Sequence, residues 1–133
     1  MDYLDTSYVV SLAVKSDVNH QKAVKLEKHL RDPVISKLVV VEIYSVFSRL
    51  SDDPVPLAEY AIRRSRARVE EVDFDEALDL SILLSEDLKL KTLDLIHVSL
   101  AKMIGVDRFV TFDRDILSKG LSPLGIEVVG GMS

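Results

Sequence analysis

The chain of 133 residues contains no cysteine, so disulfides and thiolate zinc sites are excluded, and any metal must be held by oxygen or by the three histidines. Aromatic residues make up only 6% of a sequence that is 47% hydrophobic, which predicts a core built chiefly of Val, Leu, Ile and Ala. No apolar run approaches the roughly 18 residues of a membrane span. The N-terminus, MDYLDTSYVV, carries acids where a secretory signal would carry lysines. These absences predict a cytoplasmic protein without membrane contact, and the length predicts a single domain over residues 1–133. Surplus positive charge is lacking as well. The formal net charge of −5 argues against a nucleic-acid binder that works by bulk electrostatics. An acidic enzyme can still act on RNA if metal ions cancel the charge of its own site. Repeats and low-complexity segments are absent.

What is present is an alternation of short apolar runs, turns and longer helical patterns. Strands are expected over residues 3–5, 34–35, 69–72, 108–111 and 126–129, with helical periodicity in most of the intervening sequence. Such alternation implies an α/β layered fold with a central, mainly parallel β-sheet flanked by helices. Ser36 is placed to cap a helix over 37–49, and Thr92 one over 93–104 that Gly105 ends. A further helix is expected over 75–89, with Ala77, Leu80, Leu84 and Leu88 on one stripe. The segment SDDPVP at 51–56 breaks the preceding helix and is the expected hinge, and GGMS at 130–133 the expected frayed end.

Four carboxylates interrupt the most apolar parts of this pattern: Asp5, Glu42 in VVVEIYSV, Asp94 in TLDLIHVSLA, and Asp113 after RFVTF. Each has a simpler explanation in isolation. Asp5 and Asp113 can cap the helices that follow them, Asp94 lies in a first helical turn where the macrodipole favours an anion, and Glu42 can sit at the edge of its stripe with its head in water. Together they are harder to dismiss, because parallel strands present their carboxyl ends on one side of the sheet, where ligands of open α/β folds bind. Like charges about 4 Å apart repel by roughly 4 kcal/mol at an effective dielectric near 20, a penalty that a divalent cation reverses. Clustered hard oxygens suit Mg²⁺ or Mn²⁺, and such ions suit phosphodiester hydrolysis.

With these residues in place, the chain resembles PIN-domain ribonucleases of the VapC type, the toxins of toxin–antitoxin systems. The resemblance is carried by YLDTS at 3–7, ISKLVVVEIYSVFSRL at 35–50, TLDLIHVSLAKMIG at 92–105 and FVTFDRDIL at 109–117, in that order along nearly the whole chain. It implies a PIN-like three-layer fold and a Mg²⁺- or Mn²⁺-dependent endoribonuclease. It further implies a homodimer acting on RNA and restrained by a VapB-like antitoxin. By position it makes Asp5, Glu42, Asp94 and Asp113 the metal-binding and catalytic acids, Thr111 a supporting hydroxyl, and Asp115 an extra acid at the rim. Thr6 and Ser7 would line the same pocket, although capping of the first helix accounts for them equally. Asp2 departs from the apolar residue usual in such a first strand and is expected to mark a strand edge.

Other residues invite roles. His97, one turn from Asp94, reads as a histidine packed on its helix and bonded locally rather than as a general base, while His20 and His29 read as solvated. Arg63, Arg64, Arg66 and Arg68 form the one dense basic run, ordinarily a solvated face but also a possible contact for RNA or antitoxin. Lys37 and Arg114 are nearer the acids. Ile43, Val46, Phe47 and Leu50, with Tyr44 and Tyr60, suit the core or an interface. A receiver-type phosphoacceptor would want an acidic pair after the first strand, and a sugar phosphatase Asp-x-Asp there; Asp5-Thr6-Ser7 supplies neither. A housekeeping PIN nuclease in ribosomal RNA processing and a non-catalytic PIN-like binding module are the remaining alternatives.

Overall fold

Five short strands, β1 (Asp2–Leu4), β2 (Pro33–Ile35), β3 (Arg68–Val69), β4 (Arg108–Val110) and β5 (Glu127–Val129), form one sheet in the computed structural model, which describes residues 1–131. The sheet order is β3-β2-β1-β4-β5, and every pairing is parallel. Between the strands run α1 (Thr6–Ala13), α2 (His20–Glu27), α3 (Lys37–Leu50), α4 (Pro54–Ser65), α5 (Phe74–Leu88), α6 (Thr92–Ile104) and α7 (Arg114–Lys119). The result is the expected α/β arrangement of a central parallel sheet flanked by helices. Its buried centre includes Tyr3, Leu4, Val34, Ile35, Phe109 and Val110 from the strands, with Tyr8, Leu12, Ile43, Val98 and Ile116 from the helices. Tyr3 stacks on Phe109 of the neighbouring strand at a centroid distance of 5.1 Å.

Local chemistry explains most element borders. Ser36 caps α3 by accepting from the Val39 amide at 3.4 Å, and Gly105 ends α6 in the left-handed conformation at φ 87°. Residues 51–56 form a tight connection in which α4 starts at Pro54, because a proline at the first helical position forfeits no hydrogen bond. Two helices start one residue earlier than expected. Thr92 is the first residue of α6 and not its cap, since the Leu95 amide already bonds the Lys91 carbonyl. Helix α5 begins at Phe74 because Asp73 caps it through the Glu76 amide, and it ends at Leu88, with Lys89 left-handed at φ 51°.

Two further expectations are corrected. Asp2 does not mark an edge: β1 is the middle strand, and Asp2 is buried there against Arg108 and the Arg31 amide. Gly130 is not frayed. It is buried at φ 137° and packs so closely on Thr111 that a Cβ would lie 1.9 Å from the Thr111 carbonyl oxygen. Met132 and Ser133, the rest of that expected frayed end, lie outside the described residues. No helix among the described residues is long and apolar enough to cross a membrane.

Candidate functional site

Because all strands are parallel, the segments that follow β1, β2 and β4 leave the sheet at one end, where α1, α3 and α7 begin. Asp5 and Asp113 stand at two of these exits, and both cap as the simpler reading holds. Asp5 accepts the Thr6 amide at 2.8 Å, and Asp113 accepts the Asp115 and Ile116 amides at 2.9 and 3.3 Å. Capping leaves each carboxylate with an oxygen for other work. Asp5 uses its Oδ2 to accept the Thr111 hydroxyl at 2.7 Å, whereas the Oδ2 of Asp113 accepts no hydrogen bond among the described residues.

The carboxylates assemble as two adjoining triads. In the first, Asp5, Glu42 and His97 bring one ligand atom each to within 4.8 Å of one another; in the second, Asp94, Asp113 and Asp115 do the same. Thr111 joins the two, since its hydroxyl donates to Asp5 while accepting the Asp113 amide at 2.9 Å. Ser7 adds a contact at 3.2 Å to Thr111, one at 3.3 Å to Asp5, and accepts the Phe112 amide at 3.0 Å. Glu42 reaches in from the second turn of α3, where its Oε1 accepts both the Thr6 hydroxyl and His97 Nε2 at 2.5 Å each. A groove of about 450 Å³ lined by Thr6, Ser7, Val46, Phe112, Asp113 and Arg114 takes in Asp113 of the second triad. The more spacious cleft, about 770 Å³, lies beside β5 and α7 and contains none of the four acids.

Charge crowding is visible in the ionisation of these groups. Burial, then the neighbouring charges of Asp113 and Asp5, pushes the Asp94 carboxyl up to about 6, partly opposed by His97. Burial raises Asp5 too, although His97, Thr111 and the Thr6 amide pull against it. For Glu42 burial acts upward, but the His97 hydrogen bond and charge, with the Thr6 hydroxyl, outweigh it and leave the group below its ordinary value. Burial acts to lower His97, yet Glu42 and Asp5 prevail and raise it. Among the described residues no hydrogen bond compensates Asp94. Four carboxylates whose crowding His97 only partly opposes are a donor arrangement that fits a hard divalent cation.

His97 is the residue whose place sequence reading missed. It is packed on its helix, but its bonds are not local: they run to Tyr3 on β1 and Glu42 on α3. Spacing within α6 carries no signal for either partner. His20 is part-buried and bonds the Ser11 carbonyl, and His29 is exposed beyond the end of α2. The basic run is largely spoken for: Arg63 pairs with Glu59, Arg64 with Glu27, and Arg68 with Asp32 and Glu70, while Arg66 is the left-handed cap of α4. Lys37 is exposed, 4.0 Å from Glu71. Of the apolar strip, Ile43 and Phe47 belong to the core, Val46 and Tyr44 are half-buried, and Leu50 and Tyr60 are exposed.

The fold is shared with solved toxins. Mycobacterium tuberculosis VapC20, a sarcin–ricin-loop-cleaving toxin, superposes with a TM-score of 0.73 at 20% identity over 91% of this chain and 96% of its own. VapBC2 from Rickettsia felis, solved bound to a DNA fragment from its promoter, gives 0.68 at 20% identity, covering 97% of this chain and 99% of that one. A toxin–antitoxin complex from Klebsiella pneumoniae gives 0.69 at 16% identity, covering 95% of each chain. No curated protein sequence matches the chain. The model of the PIN domain matches residues 3–120, from the first strand through α7, and the chain therefore belongs to the PIN-domain family.

Proposed function

We propose that this chain is an endoribonuclease of the VapC type, the toxin half of a toxin–antitoxin pair, which hydrolyses RNA phosphodiesters at Asp5, Glu42, Asp94 and Asp113 with a divalent cation. The observation that carries this reading is the gathering of Asp94, Asp113 and Asp115 within 4.8 Å of one another, with Asp94 in a first helical turn, bonded to no group among the described residues and raised to about 6 by burial, Asp113 and Asp5. The oxygen donors favour Mg²⁺ or Mn²⁺. When bound, such an ion supplies Lewis-acid stabilisation of charge on the phosphate and lowers the pKa of an attacking water.

The chain's own residues divide the remaining work. Asp5, Glu42, Asp94 and Asp113 would hold the cation. Thr111 and Thr6 supply the hydroxyls that orient Asp5 and Glu42, and Asp115 closes the rim beside Asp113. Arg114, which lines the adjoining groove with Asp113, is placed to meet the RNA backbone. His97 is only 2% exposed and walled off between Tyr3 and Glu42, so it cannot reach a substrate as a general base. Exposed Val41, Leu50, Leu57 and Tyr60 on α3 and α4, with Leu78, Ile82 and Leu83 on α5, support interfaces with a second copy and with a VapB-like antitoxin. We place the protein in the cytoplasm, where substrate and antitoxin would meet.

RNA cleavage with Mg²⁺ or Mn²⁺ tests the chemistry. Wild type should cleave, EDTA should abolish cleavage, and Asp94→Asn should lose about 100-fold or more in rate. Undiminished cleavage in EDTA, or by Asp94→Asn, would remove the mechanism. Growth arrest on expression, relieved by a co-expressed small VapB-like protein, is expected of the toxin role; expression without arrest would favour RNA processing instead.

A further inference from the structure

Behind the first triad lies a chain of buried polar groups that holding a cation does not by itself require. Tyr3, on β1, is fully buried, and its hydroxyl lies 2.8 Å from Ser36 Oγ and 2.7 Å from His97 Nδ1. The other ring nitrogen, Nε2, lies 2.5 Å from Glu42 Oε1 and 3.8 Å from Asp5 Oδ1. Three elements, β1, α3 and α6, contribute to it, so it is not an accident of one helix's spacing. We propose that Tyr3 and His97 are positioning residues of the metal site, a buried hydroxyl–imidazole pair that fixes Glu42 by one oxygen and leaves the other for the cation. This rests on the metal-site reading above and deepens it.

Donor and acceptor counting fixes the end of the chain that faces Glu42. Glu42 Oε1 can only accept, so the group facing it at 2.5 Å must be Nε2–H. In the neutral imidazole that leaves Nδ1 as an acceptor, which the Tyr3 O–H satisfies, and the Ser36 O–H can then donate to the Tyr3 oxygen; in the imidazolium Nδ1–H donates to the Tyr3 oxygen and the Tyr3 O–H turns to Ser36. Every group acquires a partner, and no two donors face each other. The reverse tautomer would set a bare Nε2 against a carboxylate oxygen. In either form Tyr3 holds Nδ1 and keeps Nε2–H on Glu42, as groups behind metal-binding side chains commonly do.

The grip matters because Glu42 has three side-chain torsions and stands on a different helix from the acids at Asp5 and Asp113. Two donors, Thr6 Oγ1 and His97 Nε2, converge on Oε1, whereas Oε2 accepts no hydrogen bond among the described residues. Ordering a free glutamate on each binding event would cost affinity through lost rotamer freedom. Held in advance, it costs less. The same bond argues against His97 as a ligand, since coordination through Nε2 would require that nitrogen to shed its proton and abandon Glu42.

Mn²⁺ titration of the full chain tests this, with pulsed EPR of the bound ion and circular dichroism to check folding. His97→Leu should weaken Mn²⁺ binding by about 10- to 100-fold, and His97→Gln, whose amide can still donate to Glu42, should recover most of that loss. Tyr3→Phe keeps the stack on Phe109 and should weaken binding by several-fold, which keeps the test open if His97→Leu fails to fold. Wild-type Mn²⁺ should show no nitrogen coupling. Wild-type affinity in both His97→Leu and Tyr3→Phe overturns the positioning role, as does a nitrogen coupling that His97→Gln abolishes, which would make His97 a ligand. Absence of Mn²⁺ binding by wild type is a separate failure and overturns the metal site itself.

Discussion

At Asp2 a charge that an apolar residue could have replaced is buried in the middle strand, 1% exposed, and held by Arg108 through bonds of 2.9 and 2.7 Å. Removing one partner of such a pair costs more than the pair contributes, because the survivor stays buried without compensation. Arg108→Ala should therefore destabilise the protein by roughly 3 kcal/mol in urea denaturation, with the Arg31 amide as Asp2's remaining partner. Asp94 predicts the opposite sign. With its carboxyl raised by burial, Asp113 and Asp5, metal-free Asp94→Asn should melt a few degrees above wild type at neutral pH while losing cleavage. A lower melting temperature would show that Asp94 is a structural cap. The four acids were legible because charge stands out in apolar sequence. Asp2's partner, 106 residues away, and the bonds of His97 were not, since nothing in local spacing encodes which strand lies beside β1.

Among the elements, alternation alone revealed the parallel sheet, and the departures are those of local competition. Asp73 outcompetes Asp75 as the start of α5 because its side chain reaches the Glu76 amide. Strand β3 shrinks to Arg68–Val69, its Arg68 drawn to Asp32 and Glu70. Glycines at the chain end looked like a loose tail, yet Gly130 is where β5 closes on β4. The Thr111 amide bonds the Val129 carbonyl at 2.9 Å, and the Thr111 carbonyl occupies the space a side chain at 130 would need. Gly130→Ala should displace Thr111, lowering stability by about 2 kcal/mol or more and weakening cleavage with it. Unchanged melting and cleavage in that variant would separate the β4–β5 junction from the site.

For the molecule as a whole, the crowded acids set a pH dependence in the metal-free state. Asp94 rises from 3.8 to about 6 on folding, so its protonated form favours the fold, and that stability fades as pH climbs through about 6. Asp5 and His97, both raised, act in the same direction; Glu42, lowered from 4.5, opposes only in more acidic solution. EDTA-treated protein should thus melt higher near about pH 5 than near about pH 7.5. Saturating Mn²⁺ should erase the difference, adding about 2.7 kcal/mol at a hundredfold excess over Kd. A flat pH profile without metal would mean that the acids do not repel. The most direct test of the account is the anomalous diffraction of crystals grown with Mn²⁺. It should show manganese within about 2.5 Å of carboxylate oxygens from Asp5, Glu42, Asp94 or Asp113. Manganese found only elsewhere on the surface, in crystals of protein that cleaves RNA, would contradict it.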